Sequence, residues 1–454
     1  MSFHVSRRRF LQSSAAAAVT AAVYRNAMGA NDRLAHACIG VGGMMGGHDF
    51  GKFRGNPKVQ LVAICDVDAN HLAGAKKAAP DARAYADWRE LLAKEGDKVD
   101  SVNATVPDHM HAAISMSALH AGKGVYCQKP LTHDVFESRM IAQAAAKSGK
   151  TTQLGTQFAS GIGDRLGVHY LRSGAIGKAR RAYLCSNRTG AIDSYRLVGP
   201  RPAQGEKPPG SLSWDLWLGT APVREFAPSI YHPVRWRAWQ DFGTGWSGDI
   251  GCHIFDAAWK GLDLKTPTTV TAEVQKSWED SPARRGDTWP QGDHITWQFP
   301  ANAHTVDEGL TLEWFDGVFF PPKEAQDLAL QAGMSKFPEE GLLVVGTEGA
   351  MLLGHQTAPI LLPKDKFKGT PKPNLEPRDH YDHFVNASLG GPKTESHFVQ
   401  TGAMAEAILL GTVAIRCPGK LLEWNAPEMK IPNSPQAEKF LKRTYRDGWK
   451  VEGL

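Results

Sequence analysis

Residues 1–30 contain no aspartate or glutamate, and their Arg7, Arg8, Arg9 and Arg25 account for four units of the formal net charge of +5 of the 454-residue chain. The remainder is close to neutral, which excludes the electrostatic footprint of a nucleic-acid-binding protein. Cysteine is scarce: the six have no regular spacing, which excludes a disulfide framework. Cys38, Cys65, Cys127 and Cys185 fall in strand-like apolar runs and Cys252 and Cys417 in helix-like ones, so buried free thiols are expected. Beyond the N-terminus no stretch reads as the roughly 18 apolar residues of a membrane-spanning helix. No internal repeat or heptad run is present.

The N-terminal cations are arranged. Ser6-Arg7-Arg8-Arg9-Phe10-Leu11-Gln12 precedes a short, Ala-rich run over 13–23 and small residues at Ala27, Gly29 and Ala30. A charged region, an apolar stretch too short to span a bilayer and a small-residue cleavage site make an export signal. The paired arginines before Phe-Leu resemble the signal of the twin-arginine route. Residues 1–30 are therefore expected to engage that export machinery and to place the mature protein in the periplasm or otherwise outside the cytoplasm.

From residue 34 strand-like runs at 35–41, 60–66, 101–106, 124–127 and 151–154 alternate with helix-like stretches at 70–78, 112–121 and 136–148. This alternation predicts a doubly wound parallel sheet, an α/β Rossmann domain over 31–156. Past residue 157 the pattern changes. A helix at 164–173 and a strand at 181–186 precede a Pro/Gly-rich loop carrying Pro200, Pro202, Pro208, Pro209 and Gly210. Strand-like runs then follow at 269–274, 294–299, 310–315 and 342–345, the last joined through Gly346-Thr347-Glu348-Gly349 to 351–353 as a hairpin. An amphipathic helix at 401–416 is expected to pack on them. The predicted second domain, 157–454, is α+β with a mostly antiparallel open sheet, and that open sheet predicts a homodimer or tetramer.

Gly40-Val41-Gly42-Gly43-Met44-Met45-Gly46 follows the first strand and opens the first helix. Glycine there lets a pyrophosphate approach the free N–H groups of a helix N-terminus. The usual third glycine falls at Met45, with Gly46 one place late, which leaves the helix–strand packing in question. Asp66, at the end of the second strand, is placed to accept hydrogen bonds from the adenosine ribose, which favours NAD over NADP, whose 2′-phosphate it would repel. The alternative is a tight turn beside a solvated aspartate. Thr105, Pro107, His111, Gln128 and Lys129, at or just past later strand ends, complete the candidate cofactor contacts.

Val106-Pro107-Asp108-His109-Met110-His111, Gln128-Lys129-Pro130, Gly155-Thr156-Gln157, Trp214-Asp215-Leu216-Trp217-Leu218-Gly219 and Gly248-Asp249-Ile250-Gly251-Cys252-His253 occur in that order. With the glycine turn they resemble the glucose-fructose oxidoreductase and inositol dehydrogenase (Gfo/Idh/MocA) family from about residue 34 onward. The family's Glu-Lys-Pro stands here as Gln128-Lys129-Pro130. The resemblance implies an NAD(P)-dependent oxidoreductase acting on a hydroxyl of a sugar, polyol or glycoside, with Lys129, Asp249 and His253 around the carbon oxidised. In that reading His253 takes the hydroxyl proton, Asp249 orients or polarises it from four residues away, and Lys129 stabilises the alkoxide. Gln157, Arg188, Arg235, Trp236 and Trp246 are candidates for holding substrate, in a wall that runs through Tyr231-His232-Pro233-Val234-Arg235-Trp236-Arg237.

Other readings stay open on the sequence. Asp249, His253, Asp256 and Lys260 would also form the solvated face of an amphipathic helix. His109 and His111 suit a metal-dependent hydrolase, although no spacing supplies further ligands and no metal is expected. His380 and His383 read as the start of a surface helix. Export of a folded enzyme suggests a tightly bound cofactor recycled in place. The reaction is then a paired oxidation and reduction, or a redox-neutral cleavage or epimerisation of a glycoside. A dehydrogenase with exchangeable cofactor and a non-catalytic sugar-binding protein are the remaining alternatives.

Overall fold

The computed structural model describes residues 33–187, 201–202 and 204–454. The expected export signal, residues 1–30, and Arg188 lie outside them. Strands Leu34–Ile39 (β1), Val59–Cys65 (β2), Arg83–Tyr85 (β3), Ser101–Ala104 (β4), Gly124–Cys127 (β5) and Thr152–Leu154 (β6) form an all-parallel sheet in the order β3-β2-β1-β4-β5-β6. Parallel strands need long crossovers, and the chain supplies helices Gly43–Gly55 (α1), Ala69–Ala78 (α2), Trp88–Glu95 (α3), His111–His120 (α4) and Val135–Ser148 (α5). Every residue of β4 and β5 is buried, as expected of strands covered on both faces. Helix starts are fixed by side chains: Asp68 caps α2, Asp87 caps α3, and Asp134 with Glu137 forms a capping box on α5. The sheet order reverses between β1 and β4, which opens a crevice at the carboxyl ends of these strands.

The second sheet runs β13-β12-β11-β7-β10-β9-β8-β14, from Ala179–Ser186 (β7), Thr269–Val274 (β8), Asp293–Phe299 (β9), Leu310–Phe315 (β10), Glu340–Gly346 (β11), Ala350–Gly354 (β12), Ile360–Leu362 (β13) and Leu422–Glu423 (β14). Its pairings are antiparallel except β7 with β10. Helices Ile162–Arg172 (α6) and Gly245–Gly261 (α7) pack within the core on one face. On the other, Ala325 and Ala329 of Lys323–Gln331 (α8) cover Tyr183, Phe315 and Leu343, so this face is less open than the sequence suggested.

Two C-terminal elements depart from expectation. Helix Phe398–Ile415 (α10) is not amphipathic: 15 of its 18 residues are buried. At a mean hydropathy of 1.5 it is long and apolar enough to cross a membrane, but 83% of it is inside the protein. It is wedged between α5 and the second sheet, where Gly402 leaves room for Ala142 of α5 and Gly411 for the Trp297 ring. Its buried Glu406 binds Arg139 of α5 at 2.6 and 2.7 Å, a pairing whose loss on one side costs about 3–5 kcal/mol. Helix His380–Ser388 (α9) returns to the first sheet, placing Tyr381, Phe384 and Val385 in one core with Leu34, Cys38 and Phe53. His380 is accordingly buried, bonded to the Leu154 carbonyl and Ser160 hydroxyl, rather than on the surface. All six cysteines are buried and unpaired.

Candidate functional site

The crevice at the switch point continues between the two sheets as a cleft of about 410 Å³. On its first-domain side, Gly40 has φ +84° and a Cβ there would lie 1.9 Å from the Thr105 carbonyl oxygen. Gly43 has φ +67° and starts α1. No side chain caps α1 and no acidic residue stands in its first turn, so its leading N–H groups are left for an anion. The late glycine resolves the packing question: a Cβ on Gly46 would be 3.1 Å from the Gly40 carbonyl oxygen, so Gly46 lets the helix close on the strand. Asp66 Oδ2 accepts from the N–H groups of Val41 and Gly42 at 3.0 and 3.1 Å and so braces the turn as well as facing the cleft. His71 lies 3.6 Å from its other oxygen, and that hydrogen-bonding contact raises the His71 pKa. A glycine turn with no room for a Cβ at Gly40 or Gly42, an uncapped helix start and an acceptor at the end of β2 fit a dinucleotide with an unsubstituted ribose. Met44, Met45, Thr105, Pro107, Gln128 and Lys129 line the same cleft.

Lys129, just past β5, meets Asp249 of α7 across the domain boundary, with Nζ 2.9 Å from Oδ2 and 3.3 Å from the Asp249 carbonyl oxygen. Arg237 Nε stands 3.6 Å from Asp249 Oδ1. Asp108, buried beneath them, accepts from the Thr244 hydroxyl at 3.1 Å. Burial, with the charge of Asp249 second, raises the Asp108 carboxyl, while Arg237 and Lys129 oppose the shift. His253 lies one turn beyond Asp249; burial and then the Lys129 charge push it well below its ordinary pKa. Its imidazole is therefore neutral at pH 7 and its buried Nδ1 has no hydrogen-bond partner, the state of a proton acceptor rather than a donor. The solvated-face alternative for α7 fails because Asp249 and Asp256 are 3% and 1% exposed, and Lys260 turns back onto Asp256 at 2.8 Å.

Gln128 occupies the place beside the lysine where the resemblance led one to expect glutamate. Its amide donates to both oxygens of buried Asp49, at 3.2 and 3.0 Å, and Tyr381 and Thr105 hydroxyls donate to the same carboxylate at 2.6 and 2.7 Å. Burial raises the Asp49 pKa and these hydrogen bonds oppose the shift; the carboxyl absent from position 128 is found at Asp49, and an amide is the side chain that can donate to it.

Gln157, Trp236 and Trp246 line the cleft as expected, and Gln157 donates to the Tyr126 and Tyr381 hydroxyls. His111 does not: it is buried and its ring nitrogens lie 2.5 and 2.8 Å from the Pro130 and Val106 carbonyl oxygens, tying the two strand-end loops together. His109 Nε2 is held by the Trp217 carbonyl oxygen, so the two histidines do not form a ligand pair. Among the described residues no group of three or more His, Cys, Asp or Glu is arranged to hold a metal. Arg235 is exposed and outside the cleft, and Arg237 takes its place, stacked on Trp236 with its guanidinium carbon 4.2 Å from the ring centre. Tyr231 is core, 1% exposed. His232, part of the expected wall, lines the cleft, and the sequence reading missed Asp108, His71 and His355, which line it too. Asp108 stood inside a motif already singled out, but the histidines beside it carried the more familiar signal.

Two family descriptions match the chain: an oxidoreductase family with NAD-binding Rossmann fold over residues 34–156, and the same family's C-terminal alpha/beta domain over 169–295. An inositol 2-dehydrogenase of Rubrobacter xylanophilus is 30% identical over 128 residues, 28% of this chain and 36% of that protein. A levoglucosan dehydrogenase of Pseudarthrobacter phenanthrenivorans is 25% identical over 173 residues, 38% and 35% of the two chains. The chain thus spans about a third of the length of these curated relatives. Among solved structures, the WlbA dehydrogenase of Bordetella pertussis, in complex with NADH and UDP-GlcNAcA, superposes with a TM-score of 0.59 at 14% identity, covering 86% of this chain and 98% of that one. The aldose-aldose oxidoreductase of Caulobacter crescentus gives 0.56 at 17%, covering 86% and 99%. At these identities the likeness is one of fold.

Proposed function

The chain belongs to the Gfo/Idh/MocA oxidoreductase family, and from that premise we propose that it oxidises a secondary hydroxyl of a sugar or polyol, with NAD bound against the Gly40–Gly46 turn. The carrying observation is the convergence of Lys129 from one domain with Asp249 and His253 from the other on a single cleft. NAD, when bound, supplies the acceptor for the hydride. Lys129, held at 2.9 Å by Asp249, offers its ammonium to the oxygen that gains negative charge, and neutral His253 receives the hydroxyl proton. Trp236, Trp246 and Gln157 give one polar and two aromatic surfaces to a sugar ring. Inositol and levoglucosan, the substrates named for the partial relatives, are both compact polyhydroxylated rings and support this substrate class.

In this reading residues 31–156 and 157–454 are the two domains, 1–30 is an export signal, and the assembly is a homo-oligomer. Export of the folded protein would carry its NAD along, and the cofactor would be regenerated by a second sugar or within one redox-neutral sequence. The experiment is to denature purified protein, identify released nucleotide by mass, and assay Lys129→Ala with polyols. We expect the variant to bind NAD by fluorescence titration and to lose about 10³-fold in kcat/KM. A variant as active as the wild type refutes the reading.

A further inference from the structure

A second cavity, of about 310 Å³, lies behind the catalytic cleft, between the end of α10, the start of α5 and the C-terminal tail. Its wall is cationic without a matching set of acids. Arg416 lies against both the Trp289 and Phe440 rings, its guanidinium carbon 4.8 Å from each centre. Its Nε is buried with no acceptor, and no carboxylate among the described residues comes within ion-pair distance of it. Burial lowers its pKa only to about 10, so it remains charged. Beside it, His133 is 8% exposed and neither ring nitrogen makes a well-formed hydrogen bond. The two acids of the wall are engaged elsewhere: Asp134 caps α5 and accepts from the Arg443 N–H, and Asp241 pairs with Arg224 at 2.5 Å. Lys439 and Lys442 stand exposed at the mouth.

Arg416 is half-buried with its Nε shielded, and although the Asp241 and Asp134 charges reach it, neither forms an ion pair with it. Such a cation bordering an open cavity is costly unless something fills the cavity. We propose that this cavity binds a small organic anion whose carboxylate or phosphate head takes hydrogen bonds from Arg416 and His133, with Lys439 and Lys442 drawing it in. The volume sits at the lower end of the range for small-molecule sites, about 300–1,000 Å³, and is larger than a lone inorganic ion needs. The planar fork of Arg416, already held against two rings, suits bidentate recognition of such a head.

The site is independent of the reading of the catalytic cleft, and its test keeps the two apart. The full chain is titrated calorimetrically with citrate and, separately, with inorganic phosphate, and NAD binding is followed for every variant. Saturable binding of either anion is expected, the tighter one assigning the head group. Arg416→Gln should weaken it at least about tenfold, and Lys439→Ala with Lys442→Ala about threefold or more at low salt, with NAD binding retained. Absence of saturable binding below about 20 mM overturns the proposal. So does wild-type anion affinity in both variants. If Arg416→Gln loses NAD binding through misfolding, the surface lysine pair decides alone.

Discussion

Gln128→Glu would set a second carboxylate where an amide now lies 3.0 Å from Asp49 Oδ2, in a site where both residues are buried at the edge of the cleft. If both acids ionised, their repulsion at about 3 Å and an effective dielectric near 20 would be roughly 5 kcal/mol. Keeping the introduced acid protonated is cheaper. At pH 7 it costs about 1.4 kcal/mol for each of the roughly 2.7 pH units above the ordinary glutamate pKa, near 3.7 kcal/mol. The acid O–H can then donate to Asp49 and recover about 1 kcal/mol. The expected penalty is therefore about 2.5–3 kcal/mol at pH 7, shrinking by about 1.4 kcal/mol per pH unit and close to nothing at pH 5. In thermal melts this is a fall of several degrees at pH 7, at about 2–4 °C per kcal/mol for a domain of this size. Asp49→Asn combined with Gln128→Glu restores one donor against one carboxylate and should regain most of the loss. A Gln128→Glu protein that melts with the wild type at pH 7, or whose deficit is unchanged at pH 5, refutes the account of why glutamine stands beside the lysine.

Gly40→Ala combines a φ of +84° with a Cβ 1.9 Å from the Thr105 oxygen, so NAD affinity by fluorescence titration should fall by about tenfold or more; unchanged affinity would remove the turn from the cofactor site. Asp66→Ala frees the Val41 and Gly42 N–H groups and removes the charge beside the ribose, so the ratio of NADP to NAD affinity should rise by roughly tenfold; a constant ratio would show that Asp66 serves the turn alone. Asp293 and Asp316 lie buried together, the Asp293 N–H donating to Asp316 at 2.7 Å, and burial followed by mutual repulsion raises Asp293 well above its ordinary pKa of 3.8. A raised acid binds protons in the folded state that the unfolded chain releases, so stability falls as pH climbs from that value toward the folded pKa. Melting temperature should decline over this interval in the wild type and decline less in Asp293→Asn; equal slopes would refute the assignment.

Both sheets were legible because their signals are local. Apolar runs alternating with helical stretches predicted β1, β2 and β4 to β6, and the Gly346–Gly349 turn predicted the β11–β12 hairpin. What escaped was short or set by distant partners. The three-residue β3 has no buried position, so it has no hydrophobic pattern to read. Arg235 was favoured over Arg237, yet the segment is a 3₁₀ turn, where positions two apart point about 240° from one another. α10 was read as amphipathic because its polar residues were assigned to water, whereas Glu406 faces Arg139, 267 residues earlier in the chain. Gln128 and Asp49 are 79 residues apart, and neither position hints at the other.

The catalytic candidates show the same limit at its sharpest. A spacing of four guarantees that Asp249 and His253 share one side of a helix, but it says nothing about what that side faces. Water there would make them an ordinary solvated stripe. The structure puts Lys129 of the other domain against Asp249 at 2.9 Å and buries Asp249 and Asp256 of the stripe, and local burial, with that ammonium second, lowers the His253 pKa. The state of the base is thus set first by burial and second by a charge from the domain that does not carry it. Removing the charge of Lys129 should therefore raise the pKa of His253 as well as slow hydride transfer, so that Lys129→Met moves the acid limb of the kcat/KM profile to higher pH. A lower rate with an unmoved acid limb would mean that the lysine acts on the substrate oxygen alone and that His253 owes its state to burial.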